Sequence, residues 1–167
     1  MNQQPHADIS QKTVCCAVIT VSDSRSQDND KSGQSIRELL LLAGHQIGFY
    51  EIIKDEPSQI RARLDTICRD STIQAIIFNG GTGIAPRDRT YETLEPLLEK
   101  VLPGFGEIFR FLSYQEIGSR AIASRAIAGT YQNRVIFSIP GSTTAVKLAM
   151  EKLILPELAH LVRLVSL

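Results

Sequence analysis

Ile73–Gly83 reads IQAIIFNGGTG, an apolar run that passes without a break into a glycine-rich exit. A short continuous apolar run ended by a turn signal suits a strand covered on both faces. Glycines directly after such a strand let backbone N–H groups approach a ligand with no side chain in the way. Upstream, Val14–Val21 (VCCAVITV) is a second run of the same kind, and Gln46–Ile53 reads as a further strand. Between them lies a polar loop, Ser22–Lys31, then Ile36, Leu39, Leu40 and Ala43 on one helical face. Ser32 is placed to cap that helix and Gly44 to stop it. Pro57 opens a further helix with Ile60, Leu64 and Ile67 at helical spacing. The order strand-helix-strand-helix-strand predicts a parallel sheet with helices on both faces.

Downstream, the pattern predicts helices over Thr90–Lys100, broken or kinked at Pro96, and over Gly104–Ile117. Ser124–Tyr131 and Arg134–Ile139 flank Gln132-Asn133, and Asn tolerates the positive φ of a two-residue hairpin turn. An antiparallel pair therefore extends the sheet. The chain closes with PGSTT, a helix over Ala145–Leu153 and another after Pro156. Residues 1–12 are polar and without period, so they read as a loose leader, and 13–167 as one domain.

Composition narrows the function. The 167 residues carry 18 Lys+Arg and 18 Asp+Glu, a formal net charge of zero, with 43% apolar residues. A nucleic-acid binder would carry a basic excess. No apolar stretch approaches the about 18 residues of a membrane span, and no basic cluster precedes an apolar stretch at the N-terminus. Cys15, Cys16 and Cys68 have no metal-ligand spacing and read as small core residues in a reducing cytoplasm. His6, His45 and His160 form no metal-like group and read as surface histidines.

In open α/β sheets, ligands bind outside the carboxyl ends of the strands. Four exits carry unusual residues: Ser22-Asp23-Ser24-Arg25, Lys54-Asp55-Glu56, Asn79–Gly83 and Pro140–Thr144. The last opens a helix, whose N-terminal amides favour an anion. Each has a plainer reading: Gly80-Gly81 as a tight turn, Ser142 as a cap, Asp55 and Glu56 as first-turn acids, Arg87-Asp88-Arg89 as a solvated charge cluster. Their convergence on one sheet edge favours a ligand with several phosphates. The dinucleotide, Walker and nucleophile-elbow motifs are absent.

At NGGTGIAPRD the chain resembles the molybdopterin-binding domain family of molybdenum cofactor biosynthesis, its stand-alone B-type members in particular. The likeness spans roughly residues 14–165. It runs through ITVSDSR, Ser32-Gly33, KDEP, GGTGIAPRDRT, LPGFGE, SYQEIGSRAIASRAIAG, IFSIPGS and AVKLAMEKLILPEL. The resemblance implies a three-layer α/β sandwich with a mostly parallel central sheet plus an antiparallel hairpin. It also implies a cytoplasmic trimer or hexamer that joins ATP and molybdopterin into adenylylated molybdopterin and pyrophosphate. The family's two required aspartates fall on Asp55 and Asp88, here expected to position Mg²⁺, with Arg87 expected to offset phosphate charge and Arg89 a further candidate for that role. Ser22, Asp23, Gly80, Gly81, Thr82, Gly83, Pro140, Gly141 and Ser142 are the expected binding residues. The rival reading is a protein that binds molybdopterin, or scaffolds the pathway, without turnover. Phe105, Ile108, Phe109 and Leu112 form one helical stripe with Phe111 off it, which leaves a second apolar face for a partner subunit.

Overall fold

A computed structural model of the protein describes residues 13–167; the expected leader over residues 1–12 lies outside the described residues. The elements run β1 (Cys15–Val21), α1 (Lys31–Leu42), β2 (Gln46–Ile53), α2 (Pro57–Ile67), β3 (Ala75–Asn79), α3 (Thr90–Leu94), β4 (Lys100–Val101), α4 (Pro103–Ile117), β5 (Ile127–Tyr131), β6 (Arg134–Ile139), α5 (Thr143–Ala149) and α6 (Leu155–Val165). The six strands form one mixed sheet in the order β2-β1-β3-β6-β5-β4. β2, β1, β3 and β6 are parallel; β5 is antiparallel to β6, and β4, antiparallel to β5 at the far edge, points the same way as the other four.

Alternation along the strands divides the core into two layers. Cys16 and Val18 of β1, Ala75 and Ile77 of β3, and Val135, Phe137 and Ile139 of β6 face one side, against Ile36 and Leu40 of α1, Phe109 of α4, Val146 of α5 and Leu158 of α6. Ala17, Ile19, Ile76, Phe78 and Ile136 face the other, against Ile60, Leu64 and Ile67 of α2 and Leu94 of α3. Helices on both faces of the sheet make the three-layer α/β sandwich that the resemblance implied.

Several local expectations are corrected. α1 is capped by Asp30, whose carboxylate accepts from the Gly33 amide at 3.0 Å, while Ser32 lies inside the helix, buried. α3 ends at Leu94 in a 3₁₀ turn over Glu95–Leu97, and Lys100 belongs to β4, so the helix is shorter than expected; of the two outcomes expected at Pro96, a break is the one found. β5 begins at Ile127 rather than Ser124: a 3₁₀ segment occupies Gly118–Ala123, and residues 124–126 lead from it into the strand. α5 and α6 join through a π segment over Met150–Ile154, so the chain stays helical through Pro156. Proline has no N–H for an i−4 bond, and the wider π turn before it absorbs the mismatch. His45 is buried, and its Nδ1 accepts from the Val14 amide at 3.2 Å. Ile108 is about half exposed, so the covered face of α4 runs through Phe109 and Ser113, with Phe105 and Leu112 partly buried. Gln132 and Asn133 both have positive φ (46° and 60°), as the hairpin reading required.

Candidate active site

After β1 the chain turns to β2 on one side and then to β3 on the other, so the loops leaving β1 and β3 separate at the sheet's switch point. A cleft of about 450 Å³ opens there. Its lining takes in Ser22, Asp23, Asp55, Gly80, Gly81, Thr82, Gly83, Arg87, Asp88, Pro140 and Gly141, brought from the exits of β1, β2, β3 and β6. Ser142 stands just outside that lining. It caps α5, its hydroxyl accepting from the Ala145 amide.

The β3 exit owes its path to glycine. Gly80 has φ +102° and Gly81 φ +65°, a region costly for residues bearing a Cβ. A Cβ on Gly80 would meet the Val21 carbonyl oxygen at 2.2 Å, and one on Gly81 would meet Asp55 Oδ2 at 2.3 Å. The loop therefore lies against β1 and against the carboxylate it helps to enclose.

Asp55 is buried, and both its oxygens accept from the Arg89 amide at 3.2 Å, while the Thr90 hydroxyl adds a 3.4 Å contact. Burial raises its pKa above the usual carboxylate range; these donors oppose the rise, and the nearby charges of Asp88 and Asp23 add to it. The plain reading of Asp55 as a helix-start acid fails: Glu56, not Asp55, occupies the cap position of α2 and makes no side-chain cap bond. Asp88 Oδ2 accepts from the Ala85 amide at 3.1 Å, closing the turn over Ala85–Asp88. Crowded carboxylates of this kind suit a divalent cation. Among the described residues, however, no three His, Cys, Asp or Glu side chains are grouped to cage one.

Arg87 is engaged within the protein. Its guanidinium donates to Asp23 at 2.7 and 3.1 Å and pairs with Glu56 at 2.7 Å. The Arg87 bonds hold the Asp23 carboxyl below its ordinary pKa. Asp23 in turn accepts from the Asp55 amide at 3.2 Å, so these groups tie the β1, β2 and β3 exits together.

Further residues brace the cleft in roles that the sequence reading did not assign them. Arg25 donates to Ser32 at 2.5 Å, to Asp30 at 3.2 Å and to the Gly141 carbonyl at 2.8 Å; Ser32 donates to that same carbonyl at 2.6 Å. The Pro140–Ser142 loop is thus tied to α1. Asp30 anchors the set, accepting also from Thr20 Oγ1 at 2.5 Å and Tyr50 Oη at 2.7 Å. Burial alone would raise its pKa, but these donors hold it below the ordinary value, and Tyr50 is pushed up to about 12 by burial and by Asp30. Asn79, fully buried, donates to Thr20 Oγ1 at 2.9 Å and extends the network into the sheet. Asp30 is legible as a cap, because Asp followed by a helical pattern is an N-terminal signal. Arg125 has no local signal: it sits 42 residues from the Gly83 carbonyl that it binds.

The likeness to known proteins agrees with this geometry. The family described as "Probable molybdopterin binding domain" matches residues 17–160. The molybdenum cofactor biosynthesis protein B of Halalkalibacterium halodurans is 55% identical over 164 residues, 98% of this chain and 96% of that protein. A crystal structure of a molybdenum cofactor biosynthesis protein B superposes with a TM-score of 0.91 at 47% identity, covering 94% of this chain and 98% of the other. The tungsten cofactor synthesizing MoaB of Pyrococcus furiosus gives 0.83 at 37% identity over 95% and 100%. With its switch-point cleft, its two glycine-bearing loops and this similarity along nearly its whole length, the chain belongs to the molybdopterin-binding domain family of molybdenum cofactor biosynthesis.

Proposed function

We propose that the protein adenylylates molybdopterin, using ATP and Mg²⁺ and releasing pyrophosphate. One observation carries the reading: a single cleft joins two glycine-bearing loops to the Asp55 and Asp88 carboxylates. A terminal phosphate oxygen of molybdopterin attacks the α-phosphorus of ATP. A new P–O bond forms, the bond to the β-phosphate oxygen breaks, and pyrophosphate leaves with that electron pair. A phosphate monoester with a second pKa near about 6 is already largely dianionic at neutral pH, so no strong base is required. The barrier is the approach of two anions, and positioning with charge neutralisation is what the protein supplies.

Asp55 and Asp88 would hold Mg²⁺, with water and substrate phosphates completing its shell, as is usual for this ion. When bound, Mg²⁺ neutralises phosphate charge. Backbone amides of Gly80–Gly83 and Gly141-Ser142 orient the phosphates. Arg87 reaches them by exchanging Asp23 or Glu56 for a phosphate, two of whose oxygens can accept from its guanidinium in the same bidentate way. We place the reaction in the cytoplasm, where ATP is available, and in a trimer or a dimer of trimers.

Purified protein supplied with ATP, Mg²⁺ and molybdopterin should yield adenylylated pterin and one pyrophosphate per turnover. Tight molybdopterin binding with no product would replace the enzyme by a non-catalytic binder or scaffold.

A further inference from the structure

Arg125 lies behind the Gly80–Gly83 loop and is absent from the residues that line the cleft, although Ser124 beside it is among them. Its Nε donates to the Thr82 carbonyl at 2.8 Å and its Nη2 to the Gly83 carbonyl at 2.6 Å. The rest of the guanidinium is occupied: Glu92 takes bonds at 2.5 and 3.2 Å, and the Tyr91 ring lies 4.7 Å from the guanidinium carbon. The Glu92 carboxyl is held below its ordinary pKa by this arginine. The charge of Arg125 is therefore spent on Glu92, and what it gives the loop is direction.

In a planar trans peptide the C=O and the following N–H point opposite ways, and the described chain has no cis bond. Fixing the Thr82 and Gly83 carbonyls on the guanidinium turns the N–H groups of Gly83 and Ile84 away from it. Among the described residues no hydrogen bond takes up either amide. Two adjacent free amides on a loop that borders a cleft make an anion cradle. We infer that Arg125 is a positioning residue: it clamps the two carbonyls so that the Gly83 and Ile84 amides are presented to a substrate phosphate. Lysine cannot replace it, since a single ammonium lacks the planar fork that serves two carbonyls and a carboxylate at once. The identity of the phosphate rests on the adenylylation reading; the clamp itself does not.

Three variants, R125A, R125K and Glu92→Gln, test this by calorimetry with Mg-ATP and, separately, with molybdopterin, alongside ¹⁵N-amide spectra of the unliganded protein. R125A should move the Gly83 and Ile84 resonances and weaken one of the two ligands at least tenfold, about 1.4 kcal/mol. The ligand that suffers is the one the loop holds. In turnover the loss should appear in KM for that ligand more than in kcat. R125K should fall between wild type and R125A, and it decides the matter if R125A does not fold. Glu92→Gln, which leaves both carbonyl bonds in place, should bind within threefold of wild type. A drop in thermal midpoint with both affinities unchanged, or unmoved Gly83 and Ile84 resonances, overturns the role. If the wild type binds neither ligand, the functional reading fails, and the spectra alone judge the clamp.

Discussion

Asp55 and Asp88 flank one cleft but sit in different surroundings. Asp55 is buried with a raised pKa, while Asp88 is half-buried at the end of a turn. Asp88→Asn keeps the shape and can still accept from the Ala85 amide, yet removes the charge a hard cation prefers. We expect a loss of about a hundredfold or more in kcat with the fold intact, the scale seen when a charge-stabilising group is removed; near-normal turnover at saturating Mg²⁺ would refute its role. Asp55→Asn should abolish turnover yet leave the thermal midpoint at neutral pH no lower than wild type. A carboxyl whose folded pKa is raised contributes stability only while protonated, and that contribution is lost as pH climbs through its folded pKa. Asp30 is the opposite case. Its lowered pKa contributes stability above the ordinary aspartate value, lost as pH falls through the depressed one. Asp30→Ala strands Arg25, Thr20 and Tyr50, and should cost about 3 kcal/mol in urea unfolding, as for other broken buried pairs.

Among the elements, the Gln132-Asn133 turn and the Gly80–Gly83 loop contrast. In the turn, Gln132 takes φ 46° with no Cβ-free backbone to ease it. Gln132→Asn introduces a residue that tolerates this region, and should raise unfolding stability by about 0.5 kcal/mol without touching activity. An unchanged urea midpoint would show that the strain is already relieved in the folded state. The loop has no such slack. Any side chain at Gly81 meets Thr90 Oγ1 and Asp55 Oδ2 while carrying the cost of positive φ. Gly81→Val must therefore disturb the carboxylate, besides obstructing the phosphate that the proposed reaction would place there.

For the molecule as a whole, α4 and the 3₁₀ segment after it carry an uncovered apolar face. Phe111 and Tyr114 are each 61% exposed, and Ile108, Ile117 and Ile122 continue the patch. Contiguous apolar surface of this kind marks a protein interface more often than a free monomer surface. Light scattering at micromolar concentration should return a trimer or hexamer, and Phe111→Asp should dissociate it. An 18.5 kDa species in the wild type would remove the assembly from the proposal. An intact oligomer in the variant would place the interface on another face.

The linear order of strand and helix signals was enough for the layered sheet, because burial on two faces leaves a continuous apolar pattern: Val14–Val21 becomes β1 with its start moved by one residue, Gln46–Ile53 becomes the half-exposed edge strand β2, and the hairpin turn falls at Gln132-Asn133. The glycine exits were also legible, since backbone clearance belongs to the residues themselves; Asp55 and Asp88, which taken alone read as a first-turn acid and a solvated charge, were singled out only by the family resemblance, and both border the cleft. Arg125, Arg25 and Ser32 were not legible. Their roles consist of bonds to carbonyl groups 42, 116 and 109 positions away. A carbonyl oxygen is carried by every residue type, so it leaves no mark on the sequence of its partner. The same holds for Arg87, a free cation in the chain's order and a paired one in space. Which charges are neutralised, and which amides are left to face a ligand, is settled only when distant strand exits meet at one edge of the sheet.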